Sequence, residues 1–205
     1  MKYLFIDTST SFINIAIIDN DSIIVNYHEK FDKDMSSRII PLIDEGFKKC
    51  GFCINDINKI FVVNGPGSFT GVRIGVTVAK TIAWSLKIDV IPLSSLEVIA
   101  STKSNKDYLI PMIDARRENV FAGIYDKNLN NIMNDQLISY KQLSAKLNDS
   151  YEQISYDFDN MLNPKEDILK VINKHLNDLP VNPHLLNPNY LKLTEAEEKL
   201  NDKNC

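Results

Sequence analysis

The sequence predicts an α/β fold in which sheets are flanked by helices. Strand and helix patterns alternate in both halves of the 205-residue chain. The opening residues contain β-branched runs separated by short polar turns, which is typical of a β-meander. An apolar run at residues 60–63 then leads through a Gly/Pro-rich turn into a long helix, the pattern of a strand–helix unit. A chain of this length forms either one large domain or two small lobes.

Three strands are expected in the opening meander. Residues 2–7 form an apolar run that ends at Asp7 and is followed by a polar turn, Thr8-Ser9-Thr10. Residues 13–18 and 23–27 are rich in β-branched side chains, with a short polar turn between them. The side chains of the first turn can bond to their own backbone, so we expect that turn to be stabilised locally.

A helix is predicted after the meander, ending near Cys50. Asp34 or Ser36 is a candidate N-cap, and Pro41 either lies in the first turn or kinks the helix, because it has no N–H group. One side of this helix is apolar at helical spacing. We expect that side either to enter the core or to be offered in part to a partner. Its members are Ile39, Leu42, Ile43, Gly46, Phe47 and Cys50.

The central helix follows the turn Gly65-Pro66-Gly67-Ser68 and ends near Leu86. The glycines permit a positive φ beside the proline, and Thr70 is a candidate N-cap. Four small residues recur at four-residue spacing and form one packing ridge. Two glycines in a helix cost about 1–2 kcal/mol relative to alanine, so we expect another helix backbone to approach closely here. This small-residue row consists of Gly71, Gly75, Ala79 and Ala83.

Strand and helix patterns continue in the second half but weaken beyond Asp126. Strands are expected at residues 90–91, 108–113 and 119–125. Helices are expected from Ser94 to about Ser101, from Tyr140 to Leu147, and after Asn163-Pro164. Three prolines then punctuate an extended segment that leads to Tyr190. The last dozen or so residues are charged, and we expect them to fray.

Composition favours a globular protein without general affinity for nucleic acid. Apolar residues make up 44% and charged residues 24%, and a formal charge of −4 gives no attraction to phosphates. No stretch reaches the roughly eighteen apolar residues of a membrane span, and no signal peptide is evident, so we expect a cytoplasmic protein. Cys50 and Cys53 follow a helix end rather than opening a helix, so we expect no reactive dithiol.

The sequence predicts neither a metal site nor a serine nucleophile. No two of His28, His175 and His184 are four residues apart, the spacing of a helical histidine pair. Ser68 lies in a turn, but no G-x-S-x-G elbow surrounds it. We therefore expect the histidines to be ordinary surface or core residues.

The turn before the central helix is a candidate anion site. Gly65, Gly67 and Ser68 precede a helix N-terminus, where free amides favour negative charge. The stretch is not a P-loop, because it lacks a lysine and a G-K-[ST] ending. A tight turn beneath a close helix contact is the alternative explanation for these glycines.

Eleven consecutive residues from Gly65 to Gly75 resemble the signature of a known family. The run Gly-Pro-Gly-Ser-Phe-Thr-Gly-Val-Arg-Ile-Gly is similar to that of TsaB, a subunit of the bacterial complex that makes threonylcarbamoyladenosine in tRNA. The resemblance extends to four shorter stretches, which are residues 6–10, 94–96, 113–116 and 190–192.

The resemblance implies the fold of the actin-like kinase (ribonuclease H-like) superfamily, with two lobes of mixed sheet flanked by helices. Residues 1–100 would form an N-terminal lobe that carries the partner-binding helices, and residues 101–205 a shorter C-terminal lobe. ATP-binding members place a glycine shortly after the first aspartate, where this chain has Thr8-Ser9-Thr10. Relatives often have Arg before the glycine turn, where Asn64 stands here. Both departures argue against a nucleotide or anion site.

The resemblance also implies a non-catalytic dimerisation subunit without a cofactor or metal. It would bind and activate the catalytic homologue TsaD, the ATPase TsaE would join the assembly, and tRNA would be reached only through the complex. A homodimer of the isolated chain is a further expectation, and no membrane contact is expected. The predicted partner interface consists of Ile39, Leu42, Ile43, Gly46, Phe47, Gly71, Gly75, Ala79 and Ala83.

The alternative is an enzyme of the same superfamily, either a small-molecule kinase or a metalloprotease-like protein. Such an enzyme requires a glycine in the phosphate turn after Asp7 or a histidine pair, and the sequence has neither. Asp114, Arg116 and Arg117 are expected, with Asp7, to line a cleft between the lobes. The arginines would there bind an anion or a partner carboxylate, or form a solvated turn pair.

Overall fold

The computed structural model describes residues 1–31, 34–145 and 147–191. Within these ranges the chain forms two mixed sheets and five α-helices, which confirms the predicted α/β fold. The helices are α1 (Met35–Cys50), α2 (Phe69–Leu86), α3 (Ser95–Ala100), α4 (Tyr140–Ser144) and α5 (Ile168–His175). The expected fraying of the last residues lies outside the described residues, as does Lys192 of the family pattern.

The first sheet combines the predicted meander with two parallel strands. Its strands are β1 (Lys2–Asp7), β2 (Phe12–Asp19), β3 (Ser22–Lys30), β4 (Lys59–Val63) and β5 (Asp89–Leu93), in the order β3-β2-β1-β4-β5. β1, β2 and β3 pair antiparallel, whereas β1, β4 and β5 pair parallel. The parallel half arises because α2 carries the chain from β4 back to the start of β5.

Both faces of the first sheet are buried because β1 alternates its side chains between two cores. Leu4 and Ile6 face the core beneath α1 and α2. Tyr3 and Phe5 face the opposite core, which contains residues of α3 and α5. This two-sided burial explains why β1 is a continuous apolar run rather than an alternating one.

The second sheet lies across the core that contains α3 and α5. Its strands are β6 (Tyr108–Asp114), β7 (Asn119–Asp126), β8 (Asn131–Ser139) and β9 (Tyr151–Ile154), in the order β8-β7-β6-β9. Leu109 and Phe121 of this sheet share a hydrophobic cluster with Phe5 of the first sheet. The short helices α3 and α5 therefore hold the two sheets together, and Leu143 of α4 packs on the outer face of the second sheet.

Several local predictions differ from the structure. The N-cap of α2 is Ser68 rather than Thr70, because Ser68 Oγ accepts a hydrogen bond from the Gly71 amide. The helix expected directly after Asn163-Pro164 is α5, which begins later, with Asp167 as its N-cap. β8 and β9 were not predicted, because their sequences are polar and lack a long β-branched run.

Candidate functional site

The residues predicted for the partner interface lie inside the protein. The α1 members are buried in the core between α1 and the first sheet, and the α2 members are buried on the sheet side of α2. The prediction that they form a docking face is therefore wrong, and the simpler interpretation of both faces as core holds. These nine residues are Ile39, Leu42, Ile43, Gly46, Phe47, Gly71, Gly75, Ala79 and Ala83.

The small-residue row does permit a close approach, but its neighbour is the end of β1. A Cβ atom on Gly71 would lie 2.1 Å from the Thr8 carbonyl oxygen, and one on Gly75 would lie 2.4 Å from Thr8 Oγ1. Thr8 Oγ1 also donates a 2.7 Å hydrogen bond to the Gly71 carbonyl oxygen. The glycines are therefore required by Thr8 of the same chain and not by a foreign helix.

An exposed apolar surface lies on the outward sides of α1 and α2. Ile40 is 53% exposed and Phe69 is 43% exposed, while Ile74 and Val78 are half-buried. Together with their neighbours they form a groove of about 420 Å³. We call this the α1–α2 groove; its lining residues are Ser36, Ile39, Ile40, Phe69, Thr70, Arg73, Ile74, Thr77 and Val78.

This outward surface was not predicted, although the sequence contains a signal for it. Ile40 directly follows the buried Ile39, and Ile74 directly precedes the buried Gly75. Both helices are therefore apolar over more than the face that the core requires. A helix of this kind keeps apolar area for a second contact.

The C-terminal segment, residues 177–191, borders the same surface. Arg73 Nε donates a 2.6 Å hydrogen bond to the Tyr190 hydroxyl, and the Arg73 guanidinium lies 3.8 Å from the centre of the Phe69 ring. The Phe69 and Tyr190 rings stack with their centres 5.1 Å apart. This cation–π arrangement holds Tyr190 beside the α1–α2 groove.

The glycine turn before α2 packs against the turn that follows β1. The Ser68 amide donates a 2.7 Å hydrogen bond to the Ser9 carbonyl oxygen. A Cβ atom on Gly67 would lie 2.2 Å from the same oxygen, and one on Gly65 would lie 2.7 Å from the Asn189 carbonyl oxygen. Close contact between backbone segments therefore explains both glycines. The Ser68 amide already has a partner within the chain and is not available to an anion.

A pocket of about 480 Å³ lies between the glycine turn and the second sheet. Asp114 and Arg116 line it from the turn between β6 and β7, whereas Arg117 lines a neighbouring pocket. Asp114 Oδ1 accepts a 2.8 Å hydrogen bond from the Arg116 amide, which shapes this turn. Tyr190 and Leu191 complete the wall. The lining combines one cation, one carboxylate and apolar groups, so its chemistry selects no single class of ligand.

Asp7 is buried at the end of β1 and does not line that pocket. Burial and, to a smaller extent, the charge of Glu166 raise the pKa of Asp7 to about 6, although hydrogen bonds from Ser9 lower it. Tyr156 donates a hydrogen bond to Glu166, and its hydroxyl lies 3.0 Å from Nε2 of His28. This polar group joins the first sheet to the segment between β9 and α5.

A second polar group connects α3 with the end of α5. His175 Nε2 lies 2.8 Å from the buried carboxylate of Glu97, and its Nδ1 lies 2.6 Å from Asp178. The hydrogen bond with Glu97 raises the pKa of His175 above its ordinary value, although burial opposes this. Burial raises the pKa of Glu97, but hydrogen bonds from His175 and Lys174 outweigh it and leave the pKa lowered. The arrangement is an ion pair that ties two core helices together.

The three histidines have separate surroundings: His28 lies beside Tyr156, His175 beside Glu97, and His184 beside Trp84. Among the described residues, no three His, Cys, Asp or Glu side chains are grouped so that they could hold a metal ion. No helix in the described part of the chain is both long and apolar enough to cross a membrane.

Sequence comparison finds a relative along nearly the whole chain. The tRNA threonylcarbamoyladenosine biosynthesis protein TsaB of Bacillus subtilis (strain 168) is 35% identical over 225 aligned positions, which cover 97% of each protein. The chain belongs to the TsaB family. The resemblance carried by the eleven-residue glycine motif is therefore confirmed.

The TsaB family is related to the transferase TsaD. The family model described as TsaD: tRNA N6-adenosine threonylcarbamoyltransferase matches residues 24–196. The tRNA N6-adenosine threonylcarbamoyltransferase of Persephonella marina (strain DSM 14350 / EX-H1) is 30% identical over 113 positions, which cover 47% of this chain and 33% of that protein. This TsaB-family chain is thus similar in part to a catalytic protein.

The fold agrees with that of a solved structure. YeaZ from Pseudomonas aeruginosa superposes with a TM-score of 0.79 at 19% identity, covering 93% of this chain and 99% of that one. The predicted fold class, mixed sheets flanked by helices, is confirmed.

Proposed function

We propose that this chain is a non-catalytic dimerisation subunit that binds the catalytic subunit TsaD and holds it in a competent state. Membership of the TsaB family connects the chain with tRNA threonylcarbamoyladenosine biosynthesis. The observation that carries the finer proposal is the α1–α2 groove, an apolar surface between two long helices. In the proposed assembly TsaE joins the pair in the cytoplasm, and tRNA is reached through the complex.

The shape of this surface suits a pair of partner helices. α1 has 16 residues and α2 has 18 residues, so they are about 24 and 27 Å long. Ile40 and Phe69 are exposed in this groove, and Ile74 is half-buried there. Two helices with such a groove can complete a four-helix arrangement with two helices of another subunit, which buries the apolar side chains.

A homologous subunit is the partner that best fits the surface. The TsaD model matches this chain from residue 24 to residue 196, so the region that contains α1 and α2 has a counterpart in TsaD. Two related surfaces can meet about an approximate two-fold axis. A second copy of this chain presents the same surface, so a homodimer is the competing assembly.

The contacts around β1 support the non-catalytic part of the proposal. ATP-binding members of the superfamily place a glycine in the turn after β1, which lets the backbone approach the phosphates. Here the Ser9 carbonyl oxygen accepts from the Ser68 amide and lies against Gly67, so protein atoms fill the space between the turns. Asp7 is buried beside them and has a raised pKa.

Charge placed in the groove tests this proposal. Ile40→Asp and Thr77→Arg alter exposed side chains, so the variants should keep their fold. Ile132→Asp on β8 is the matched control, since Ile132 is 58% exposed and lies outside the groove. We expect the groove variants to weaken binding to TsaD by about 2–3 kcal/mol, because an unpaired charge would be buried. Isothermal titration calorimetry measures the affinity, and a reconstituted modification assay measures the consequence.

The control defines what would contradict the proposal. Ile132→Asp should bind TsaD and support modification as the parent chain does. If Ile40→Asp and Thr77→Arg also behave as the parent chain, the α1–α2 groove is not the TsaD-binding surface. Light scattering of the isolated chain shows whether the same variants convert a homodimer into a monomer. Addition of TsaE to the parent and variant mixtures shows whether its recruitment requires the pair.

A further inference from the structure

The chain has one tryptophan, and it is exposed. Trp84 lies near the C-terminal end of α2 and is 61% exposed, and the His184 ring lies edge-on to it with the ring centres 6.0 Å apart. A pocket of about 490 Å³ beside it is lined in part by Ile88 and Pro183. Leu185, the next residue after His184, is 73% exposed. We call Trp84, Ile88, Pro183 and Leu185 the Trp84 patch.

The Trp84 patch continues the α1–α2 groove along α2. Arg73 and Thr77 line the groove, and both are exposed. Trp84 follows Thr77 by seven residues, which returns it to the same side of the helix. The two positions are about 10 Å apart along the helix axis. A partner helix that lies along α2 from the groove therefore meets Trp84 next.

The size of a stable interface also requires this continuation. The groove spans residues 69–78 of α2, which is about 14 Å of helix. Over two helices, each about 10 Å wide, this gives roughly 280 Å². Stable complexes bury about 800 Å² on each partner. The contact must therefore extend well beyond the groove, and the remaining length of α2 leads to the Trp84 patch.

The chemistry of Trp84 fits an anchor that becomes buried. Within the described residues its indole N–H has no hydrogen-bond partner. A tryptophan buried at an interface normally finds an acceptor for this group. Tryptophan is also enriched among the residues whose removal weakens interfaces most.

We propose that Trp84 anchors the far end of the TsaD-binding surface, and that the C-terminal segment forms one wall of that surface. Lys80 Nζ donates a 3.1 Å hydrogen bond to the Leu186 carbonyl oxygen, and Arg73 donates one to the Tyr190 hydroxyl. The C-terminal segment is therefore fixed to α2 at two points, one on each side of Thr77. The anchoring role rests on the proposed function, since the occupant is TsaD. The acceptor for the indole N–H would come from TsaD.

Binding measurements on the full chain separate the two proposals. Trp84→Ala should weaken TsaD binding by about 30-fold or more, as expected for a hot-spot residue. Trp84→Phe keeps an aromatic ring but removes the donor, and we expect an intermediate loss of about 5- to 10-fold. Ile132→Ala is the control for loss of an exposed apolar side chain and should stay within about twofold. Equal melting temperatures of all four proteins show that the fold is retained.

Because Trp84 is the single tryptophan, growth with 5-fluorotryptophan labels only this position. Unlabelled TsaD should shift and broaden the one ¹⁹F resonance. If Trp84→Ala binds within about twofold of the parent and the resonance does not move, while Ile40→Asp abolishes binding, the anchor is refuted and the proposed function stands. If Ile40→Asp also binds TsaD normally, the proposed TsaD-binding function is refuted, and the anchoring role of Trp84 is refuted with it.

Discussion

Gly75→Ala tests whether the small-residue row packs against β1 of its own chain. The new Cβ atom would lie 2.4 Å from Thr8 Oγ1 and 3.6 Å from Ile6 Cγ2. Thr8 is fully buried, and its hydroxyl bonds to the Gly71 carbonyl oxygen at 2.7 Å. To relieve the contact, α2 must shift away from β1 and Thr8 must rotate, which leaves the buried Thr8 hydroxyl without its acceptor.

Three effects set the magnitude of the change. Alanine gains about 1 kcal/mol over glycine inside a helix. Overpacking of a filled core costs about 1–3 kcal/mol, and a buried group that loses its hydrogen bond costs about 1–3 kcal/mol. The two losses exceed the gain, so we expect a net destabilisation of about 2–3 kcal/mol. For a chain of this length that lowers the melting temperature by about 4–12 °C.

Urea unfolding followed by circular dichroism measures the effect, and Thr8→Ala completes a double-mutant cycle. Thr8→Ala removes the atom that Gly75→Ala would strike, so the double variant should be more stable than the sum of the single changes predicts, by about 1–2 kcal/mol. Gly46→Ala is the milder comparison, because its Cβ would lie 3.0 Å from the flexible tip of Ile17. If Gly75→Ala stabilises the protein, or if the single changes are additive, the contact with β1 is refuted.

Three further outcomes are expected. Asp7→Asn should stabilise the protein increasingly between about pH 4, the ordinary aspartate pKa, and about pH 6, the folded pKa of Asp7, because the raised folded pKa penalises the ionised form. Above about pH 6 the gain should stay constant at about 3 kcal/mol, and unfolding at several pH values measures this. Because the folded pKa of His175 is raised, its charged form stabilises the protein fully below about pH 6.5, and this stability is lost as the pH rises through the folded pKa. The melting temperature of the parent chain should therefore fall as the pH rises above about 6.5, and His175→Gln should make this fall smaller. Arg73→Ala should release Tyr190 and lower the free energy of unfolding by less than about 1 kcal/mol. In the parent chain the Asn189 amide donates to the Asn64 carbonyl oxygen, and hydrogen exchange of this amide should be faster in the variant.

The sequence was sufficient for the fold class and the family, because the glycine motif and the strand runs are local signals. It predicted a close approach of another helix backbone to the small-residue row, but the close neighbour is Thr8 at the end of β1. It did not identify the neighbour, because the contact is made by Thr8, which lies 63 residues before Gly71. The spacing of small residues gives the distance of approach and says nothing about which element approaches.

The outward surface was harder to predict for the same reason. The C-terminal segment borders it, and the hydrogen bond that fixes this segment joins Arg73 to Tyr190 across 117 positions. A pattern within α2 shows which residues are apolar, but not which of them the returning chain leaves exposed. Trp84 carried no periodic signal of its own, and it remains 61% exposed although the His184 ring lies edge-on to it.

The return of the chain to α2 has a consequence for the timing of assembly. α1 and α2 leave the ribosome early, but the segment that borders α2 is synthesised about a hundred positions later. A nascent chain would therefore present a groove without its border until residue 191 has emerged. If the proposed function holds, pairing with TsaD would follow completion of the polypeptide, because a truncated chain would lack the segment that borders α2.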